Sequence, residues 1–369
     1  MKGSIKQRAK GSWSIIIYLG KDPITNKKKY KWYTFKGIKK DAEKYLVEKL
    51  NEINNGIFVD NKNMNLTEYL EYWYNEYCIK NLAPTTYEGY KRNIDKHIIP
   101  TLGNIKLKDL QPLHLQNFYS NRLENNLSKT SVNNLHKIIH KALEQAKKWQ
   151  LISLNIADNV EPPKKQKYKA NILTPTDLEN LLKSLDKKDI IYIPIMIAIS
   201  TGMRRGEILG LKWENVDLEN GIIKVVQALY PTKTGLQILQ PKTKTSIRAI
   251  YIPATLIEIL KEHKKYKENL NLSNNYNMVC SLENGEYLSP STLNHKFKEF
   301  LEINNLPNIR FHDLRHSHAS LLLMQGVQPK MISERLGHSN IAITMDLYSH
   351  IYEESNKEVA NNFDKFLIK

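Results

Sequence analysis

The chain has 369 residues, enough for two or three domains, and 41% hydrophobic with 25% charged residues is the composition of a globular protein, not a disordered one. Its formal net charge of +17 is unusual: self-repulsion of that size destabilises a compact chain unless a polyanion neutralises it, so nucleic acid becomes the leading partner class. A membrane is disfavoured, because the longest apolar run, Ile190 to Ile199, is too short to span a bilayer and contains Pro194, and the basic N-terminus lacks the apolar core of a signal peptide.

Residues 1–60 read as three short strands and a helix. SWSIIIYLG and KKYKWYTFKG are rich in Ile, Tyr, Trp and Phe, with the turn-forming DPITN between them. The helix that follows carries Ala42, Leu46, Leu50 and Ile53 on one stripe and is expected to stop at Gly56. This module holds 14 Lys or Arg against 6 Asp or Glu. Residues 61–163 read as helical, in four periodic runs beginning near Leu66, Thr85, His114 and Thr130, with Thr85 and Ser131 near the expected N-caps. The lysine- and proline-rich EPPKKQKYKAN, from Glu161 to Asn171, reads as an exposed hinge, with the linker proper at 164–170.

From residue 171 the pattern changes to helices (TPTDLENLLKSL, DIIYIPIMIAIS, GEILGLKW), two strand-like stretches (GIIKVVQAL and SIRAIYIP), then further helices. Basic and acidic residues nearly balance here, so the bulk phosphate contacts are expected in the first two modules. Cys78 and Cys280 are too few and too far apart for a disulfide scaffold or a metal knuckle. They read as small buried hydrophobes in a reducing cytoplasm.

Four stretches of this last region carry chemistry. In TGMRRGEILGL, Thr201 and Gly202 stop one helix and Arg204 and Arg205 open the next. Cations are unfavourable there, so an anion or a carboxylate is expected beside them. The structural alternative is a salt bridge to Glu207 or Glu214, expected for Arg205 rather than Arg204. In FHDLRHSHASLLL, His312 and Arg315 are i, i+3 neighbours able to reach one phosphate, while Leu314, Leu321 and Leu322 point inward. His312 and His316 also have the spacing of a zinc-binding HExxH pair. An arginine between them and the short Asp313 argue against that reading.

In SERLGHSNIAITMDLYSH, Gly337 can end a helix in the left-handed conformation and Ser339 can cap the next, which leaves His338 on a corner. Tyr348 falls ten residues later, on the face of Ile341, Thr344 and Met345. With 20 tyrosines in the chain its local sequence does not single it out. The fourth stretch, PKTKTSIRAIYIP, brings two lysines to a turn before an alternating strand. Two arginines, two histidines and a lysine around a phosphate supply charge stabilisation and proton transfer, and a tyrosine supplies a nucleophile. No carboxylate cluster of the kind that holds Mg²⁺ is evident, so no cofactor or metal is expected.

Together these stretches resemble the tyrosine recombinases, specifically the lambda-type integrases of phages and conjugative transposons. The TGxRxxE box matches Thr201 to Glu207, the HxxR box His312 to Arg315, LGH Leu336 to His338, and the terminal tyrosine Tyr348. The resemblance implies a multidomain α+β fold. Residues 1–60 would be a sheet-plus-helix module for arm-type DNA sites and residues 61–163 a helical core-binding domain closing a clamp around duplex DNA. Residues 171–369 would be a mainly helical catalytic domain with a small antiparallel sheet. It further implies that Arg204 and Arg315 hold the scissile phosphate with His338 as an added donor, and that His312 assists proton transfer. Tyr348 would form a 3′-phosphotyrosine, and Lys242 would protonate the leaving oxygen, with Lys244 as the alternative. The implied assembly is a homo-tetramer passing through a Holliday junction on double-stranded DNA, with room for an excisionase and a DNA-bending protein. A type IB topoisomerase and an inactive DNA-binding regulator are the alternatives. The basic N-terminal module disfavours the first, and the intact set of six residues the second.

Overall fold

A computed structural model describes residues 3–21, 28–54, 64–165, 171–240, 247–269 and 277–337 of a chain that divides into two units, Met1–Gln166 and Lys167–Lys369. The first unit opens with β1 (Gly3–Ala9), β2 (Ser12–Lys21) and β3 (Lys28–Lys36) in one antiparallel sheet of that order, followed by α1 (Lys39–Asn54). The two-residue period of a strand sends alternate side chains to opposite faces. Ile5, Ile15 and Tyr33 are in register, and Ile15 and Ile17 are fully buried among Phe35, Tyr45 and Leu46. The other face carries Lys6, Ser14 and Thr34 in one row and Ile16 beside an exposed Trp32 in the next. The turn segment DPITN and Gly56 lie outside the described residues.

The helical part of this unit runs through α2 (Leu66–Trp73), α3 (Ile79–Asn81), α4 (Pro84–Asn93), α5 (Ile99–Leu102), α6 (Pro112–Glu124) and α7 (Lys129–Lys148). Asn65 starts α2 with a reciprocal capping box: Glu68 N–H donates to Asn65 Oδ1 and Asn65 N–H donates to Glu68 Oε2, both at 2.9 Å. Two runs expected as plain helix each contain a π-helical turn, at Tyr74–Cys78 and Ile94–Ile98. The cap of α7 is Ser128, whose Oγ accepts from Ser131 N–H at 3.1 Å, and Ala83 rather than Thr85 precedes α4, with Pro84 as its first residue. The caps thus lie three positions before Ser131 and two before Thr85, the residues near which the sequence placed them. Val132, Leu135, Ile139, Ala142, Leu143 and Ala146 form the buried stripe of α7. Each fully buried large aliphatic side chain of this kind contributes roughly 1.5–3 kcal/mol.

The second unit contains α8 (Pro175–Ser184), α9 (Tyr192–Thr201) and α10 (Arg205–Leu209). The sequence YIPIMIAIST is apolar on every side, and α9 is accordingly enclosed, with Ile193, Pro194, Ile195, Ile197 and Ala198 all buried. Next come β4 (Val216–Asp217), β5 (Ile222–Val225), β6 (Ala228–Thr232), β7 (Gly235–Leu239) and β8 (Arg248–Tyr251). They form a three-stranded sheet of order β4-β5-β8 and a separate β6-β7 hairpin. GIIKVVQAL therefore spans two strands in two sheets. The break falls at Gln227, whose side-chain amide donates to Gly210 O at 2.8 Å. A Cβ on Gly210 would stand 2.7 Å from Leu229 N, so glycine permits this approach.

The remaining elements are α11 (Ala254–Asn269), α12 (Pro290–Ile303), α13 (Asp313–Met324) and α14 (Pro329–Leu336). Every residue of α13 from Asp313 to Ser320 is buried, polar ones included. Leu314 is fully buried as expected, whereas Leu321 and Leu322 are only half-buried. Cys78 and Cys280 are both buried free thiols. Among the described residues no helix is long and apolar enough to cross a membrane.

Candidate functional site

Two glycines set the backbone of the site. Gly202 ends α9 at φ 67° and Gly337 ends α14 at φ 68°, both in the left-handed region, where a Cβ is strained. A helix C-terminus leaves carbonyls without intrahelical partners and carries partial negative charge, so cationic side chains are favoured there. Arginines meet both ends, joined at α9 by a histidine. At α9, Ile199 O is 2.7 Å from His318 Nδ1, Ser200 O accepts from Arg335 Nη2 at 2.9 Å, and Gly202 O accepts from Arg315 Nη1 at 2.7 Å.

At α14 three consecutive carbonyls are each taken by a different arginine. Arg248 Nε donates to Arg335 O at 2.7 Å, Arg315 Nη2 to Leu336 O at 2.9 Å, and Arg204 Nη2 to Gly337 O at 3.0 Å. Arg315, 3% exposed, thus ties the two helix ends together. The sequence-predicted Arg204 and Arg315 meet on neighbouring carbonyls although 111 positions apart in the chain.

Arg204 precedes α10, and its backbone N–H donates to Glu207 Oε2 at 2.8 Å while its Nη1 donates to Glu207 Oε1 at 2.8 Å. Among the described residues Arg205 makes no ion pair. The carboxylate partner expected for Arg205 belongs instead to Arg204, because N-cap geometry points residue 204 back at its own N3 position. Glu207 also pairs with Arg248, at 2.8 Å to Nη2 and 3.2 Å to Nη1. Burial alone would raise the Glu207 pKa, but the hydrogen bond and charge of Arg248, and then those of Arg204, outweigh it and hold the group below the ordinary carboxylate range.

His312 is the N-cap of α13 and is exposed as a whole. It lines an open cavity of about 560 Å³ with Arg204, Arg205, Tyr230 and Arg310. Its ring meets that of His316 edge-on, with centroids 5.2 Å apart. Desolvation of the ring, then His316 and Arg315, push its pKa down to about 4, so it is neutral at pH 7. The metal alternative finds no support in Asp313, whose carboxylate accepts from Arg310 N–H at 2.8 Å and Nη2 at 3.0 Å. Among the described residues no three His, Cys, Asp or Glu side chains are grouped to hold an ion.

Lys242, Lys244, His338 and Tyr348 lie outside the described residues, as does the Ser339 cap. Sequence reasoning missed Arg248, Arg335 and His318. For Arg248 a signal existed: in SIRAIYIP it occupies the same strand face as Ile250 and Ile252, both buried, and an arginine on an apolar face needs a buried partner. Nothing local marked Arg335 or His318.

Residues 171–355 match the model of the phage integrase family, and residues 65–123 match that of the phage integrase N-terminal SAM-like domain. The chain is 28% identical to a tyrosine recombinase XerC-like protein of Caldanaerobacter subterraneus subsp. tengcongensis, over 100% of this chain and 99% of the relative. It is 25% identical to the ICEBs1 integrase of Bacillus subtilis, over 99% and 100%. Among solved structures, the Tn1549 transposon integrase in complex with a circular intermediate DNA superposes with a TM-score of 0.69 at 22% identity, over 81% of this chain and 99% of that one. The lambda integrase dimer bound to a COC′ core site gives 0.61 at 19% identity, over 93% and 94%. At these identities the structural likeness is one of fold.

Proposed function

This chain belongs to the phage integrase family of tyrosine recombinases, which integrate and excise mobile elements, and from that premise we propose how its residues divide the strand-transfer chemistry. Arg204 and Arg315 hold the non-bridging oxygens of the scissile phosphate, with His338 as a further donor. The observation that carries this is the convergence of both guanidinia on adjacent carbonyls, Gly337 O and Leu336 O. Arg204 engages two of its five N–H donors, on Gly337 O and Glu207, and keeps others for a phosphate, while Arg315 is fixed beside it by Gly202 O and Leu336 O.

Tyr348 attacks phosphorus through its phenolic oxygen as the bond from phosphorus to the 5′ oxygen breaks. A 3′-phosphotyrosine and a free 5′-hydroxyl result. His312, neutral because its pKa is depressed, takes the phenolic proton, and Lys242 delivers a proton to the leaving oxygen. Attack by a second strand's 5′-hydroxyl reverses these steps, and the retained ester means that no nucleotide cofactor is consumed. We read the reaction as metal-independent, a reading supported by the pairing of the buried carboxylates Glu207 and Asp313 with arginines among the described residues. Residues 1–60 engage arm-type sites and the helical segment the core site, in a homo-tetramer on double-stranded DNA.

Tyr348→Phe removes one hydroxyl and leaves the proposed phosphate ligands in place. On a nicked suicide substrate the variant is expected to form no denaturant-stable protein–DNA adduct while binding the duplex within about 2-fold of the wild type, since the phosphate contacts that supply most of the affinity come from other residues. An adduct formed by the Phe variant would remove Tyr348 as the nucleophile.

A further inference from the structure

Arg248 opens β8, four positions after Lys244 in the chain, and its side chain is 7% exposed. Through Glu207 it touches the segment that carries Arg204, and through Arg335 O it touches the end of α14, two residues before Gly337. We propose that Arg248 is a positioning residue for strand transfer: it supplies the second positive charge to Glu207 and so leaves Arg204 electrically free to hold a phosphate. This rests on the assignment of Arg204 as a phosphate ligand.

Glu207 is 5% exposed and accepts four hydrogen bonds, two on each oxygen. Oε1 receives Arg204 Nη1 and Arg248 Nη1, and Oε2 receives Arg204 N–H and Arg248 Nη2. A buried carboxylate with one guanidinium is a neutral pair, and a neutral pair attracts a phosphate weakly. With two guanidinia the cluster carries one net positive charge, and Arg204 is its solvent-reaching member, with a side chain 36% exposed. Removal of Arg248 deletes two of the four bonds, and Arg204 becomes the one cation still paired with Glu207. The guanidinium is then drawn towards the carboxylate and away from Gly337 O and the cavity.

The test is single-turnover adduct formation by the full chain on a suicide substrate, alongside equilibrium binding of the same duplex. Arg248→Gln should slow adduct formation by about 10²-fold, the scale of one lost preorganised charge contact. Binding should stay within about 3-fold, because phosphate contacts elsewhere supply most of the affinity. Arg248→Lys keeps the charge without the fork and should fall in between. The decisive variant is E207Q/R248Q, in which both charges are gone and Arg204 again stands alone with its own: it should recover about 10-fold or more over R248Q. A merely structural Arg248 predicts the opposite, a double variant as slow as R248Q or slower.

R248Q cleaving at the wild-type rate, or a double variant without recovery, overturns the proposal. Should R248Q fail to fold, the comparison moves to E207Q against E207Q/R248Q. With the carboxylate neutral, Arg248 has no charge left to offset, so these two should cleave within about 3-fold of each other, and a gap above about 10-fold overturns the idea. Arg204→Ala serves as the separate control: wild-type cleavage by that variant would sink the phosphate assignment itself, whatever Arg248 does.

Discussion

Gly202→Ala should destabilise the second unit through two separable effects. The first is conformational: at φ 67° an L-residue with a Cβ costs about 1–2 kcal/mol. The second is steric. An ideal Cβ at residue 202 would lie 2.5 Å from Leu336 Cδ2 and 2.7 Å from His318 Cδ2. Neither neighbour can swing away, because Leu336 is fully buried and the His318 ring is held between Ile199 O and Arg335 Nε. Overpacking of this kind adds about 1–3 kcal/mol, for a total of about 2–5. Gly326→Ala is the control, since Gly326 is also left-handed, at φ 78°, but has nothing within 4 Å of its Cβ. It should show the backbone effect alone. Hydrogen exchange of α13 amides across a urea series reads the second unit directly, because these helix amides open only with its core. Adduct formation should drop more for Gly202→Ala than for Gly326→Ala, since Gly202 O is one of the two carbonyls that fix Arg315. A Gly202→Ala variant no less stable than Gly326→Ala would show that Leu336 and His318 yield readily to a Cβ at residue 202.

The His318 pKa is pushed down to about 4, by burial first and then by Arg335. The unfolded chain therefore binds a proton below pH 6.5 that the folded one refuses, and stability should fall by about 2 kcal/mol from pH 6.5 to 5 on account of this group. Urea titrations at the two pH values should show a smaller drop for His318→Gln; an equal drop would place the acid sensitivity elsewhere. Adduct formation should proceed in EDTA at an unchanged rate. A rate that collapses with chelator and returns with Zn²⁺ or Mg²⁺ would reinstate a metal at His312 and His316. Lys242→Ala should slow cleavage by about 10²–10⁴-fold and be rescued by a 5′-bridging sulfur, whose departure needs no proton. If Lys244→Ala is the slow, sulfur-rescued variant instead, the general acid is Lys244.

The sequence by itself determined what depends on neighbours within a turn or a strand. The unbroken apolar run of α9 and the i, i+3, i+4 stripe of α7 could be read as helices because a 3.6-residue period places one face inward, whatever that face later meets. Gly202 and Gly337 could be read as helix stops because the left-handed conformation is a property of the residue itself. The order of Arg204, His312, Arg315, His338 and Tyr348 along the chain was equally legible. Local pattern was already less decisive at helix starts, where Ser128 and Ser131 offer the same hydroxyl three residues apart and geometry chose the first. It was also less decisive along GIIKVVQAL, where alternation continues through a break between two sheets.

Tertiary structure alone decided which partner each buried charge takes. Glu207 stands three residues from Arg204 and two from Arg205, so the sequence offered both, and the strand bearing Arg248, 41 positions away, completes the set. Arg204 finds Gly337 O at a separation of 133 and Arg315 finds Gly202 O at 113. A carbonyl freed at a helix end can accept from any donor that packing delivers, and every residue has one, so the sequence carries no mark of which will be used. The arrangement is fixed when α13 packs on α9 through one hydrophobic cluster and on α14 through another, where an unsatisfied guanidinium or carboxylate would cost more than the alternatives.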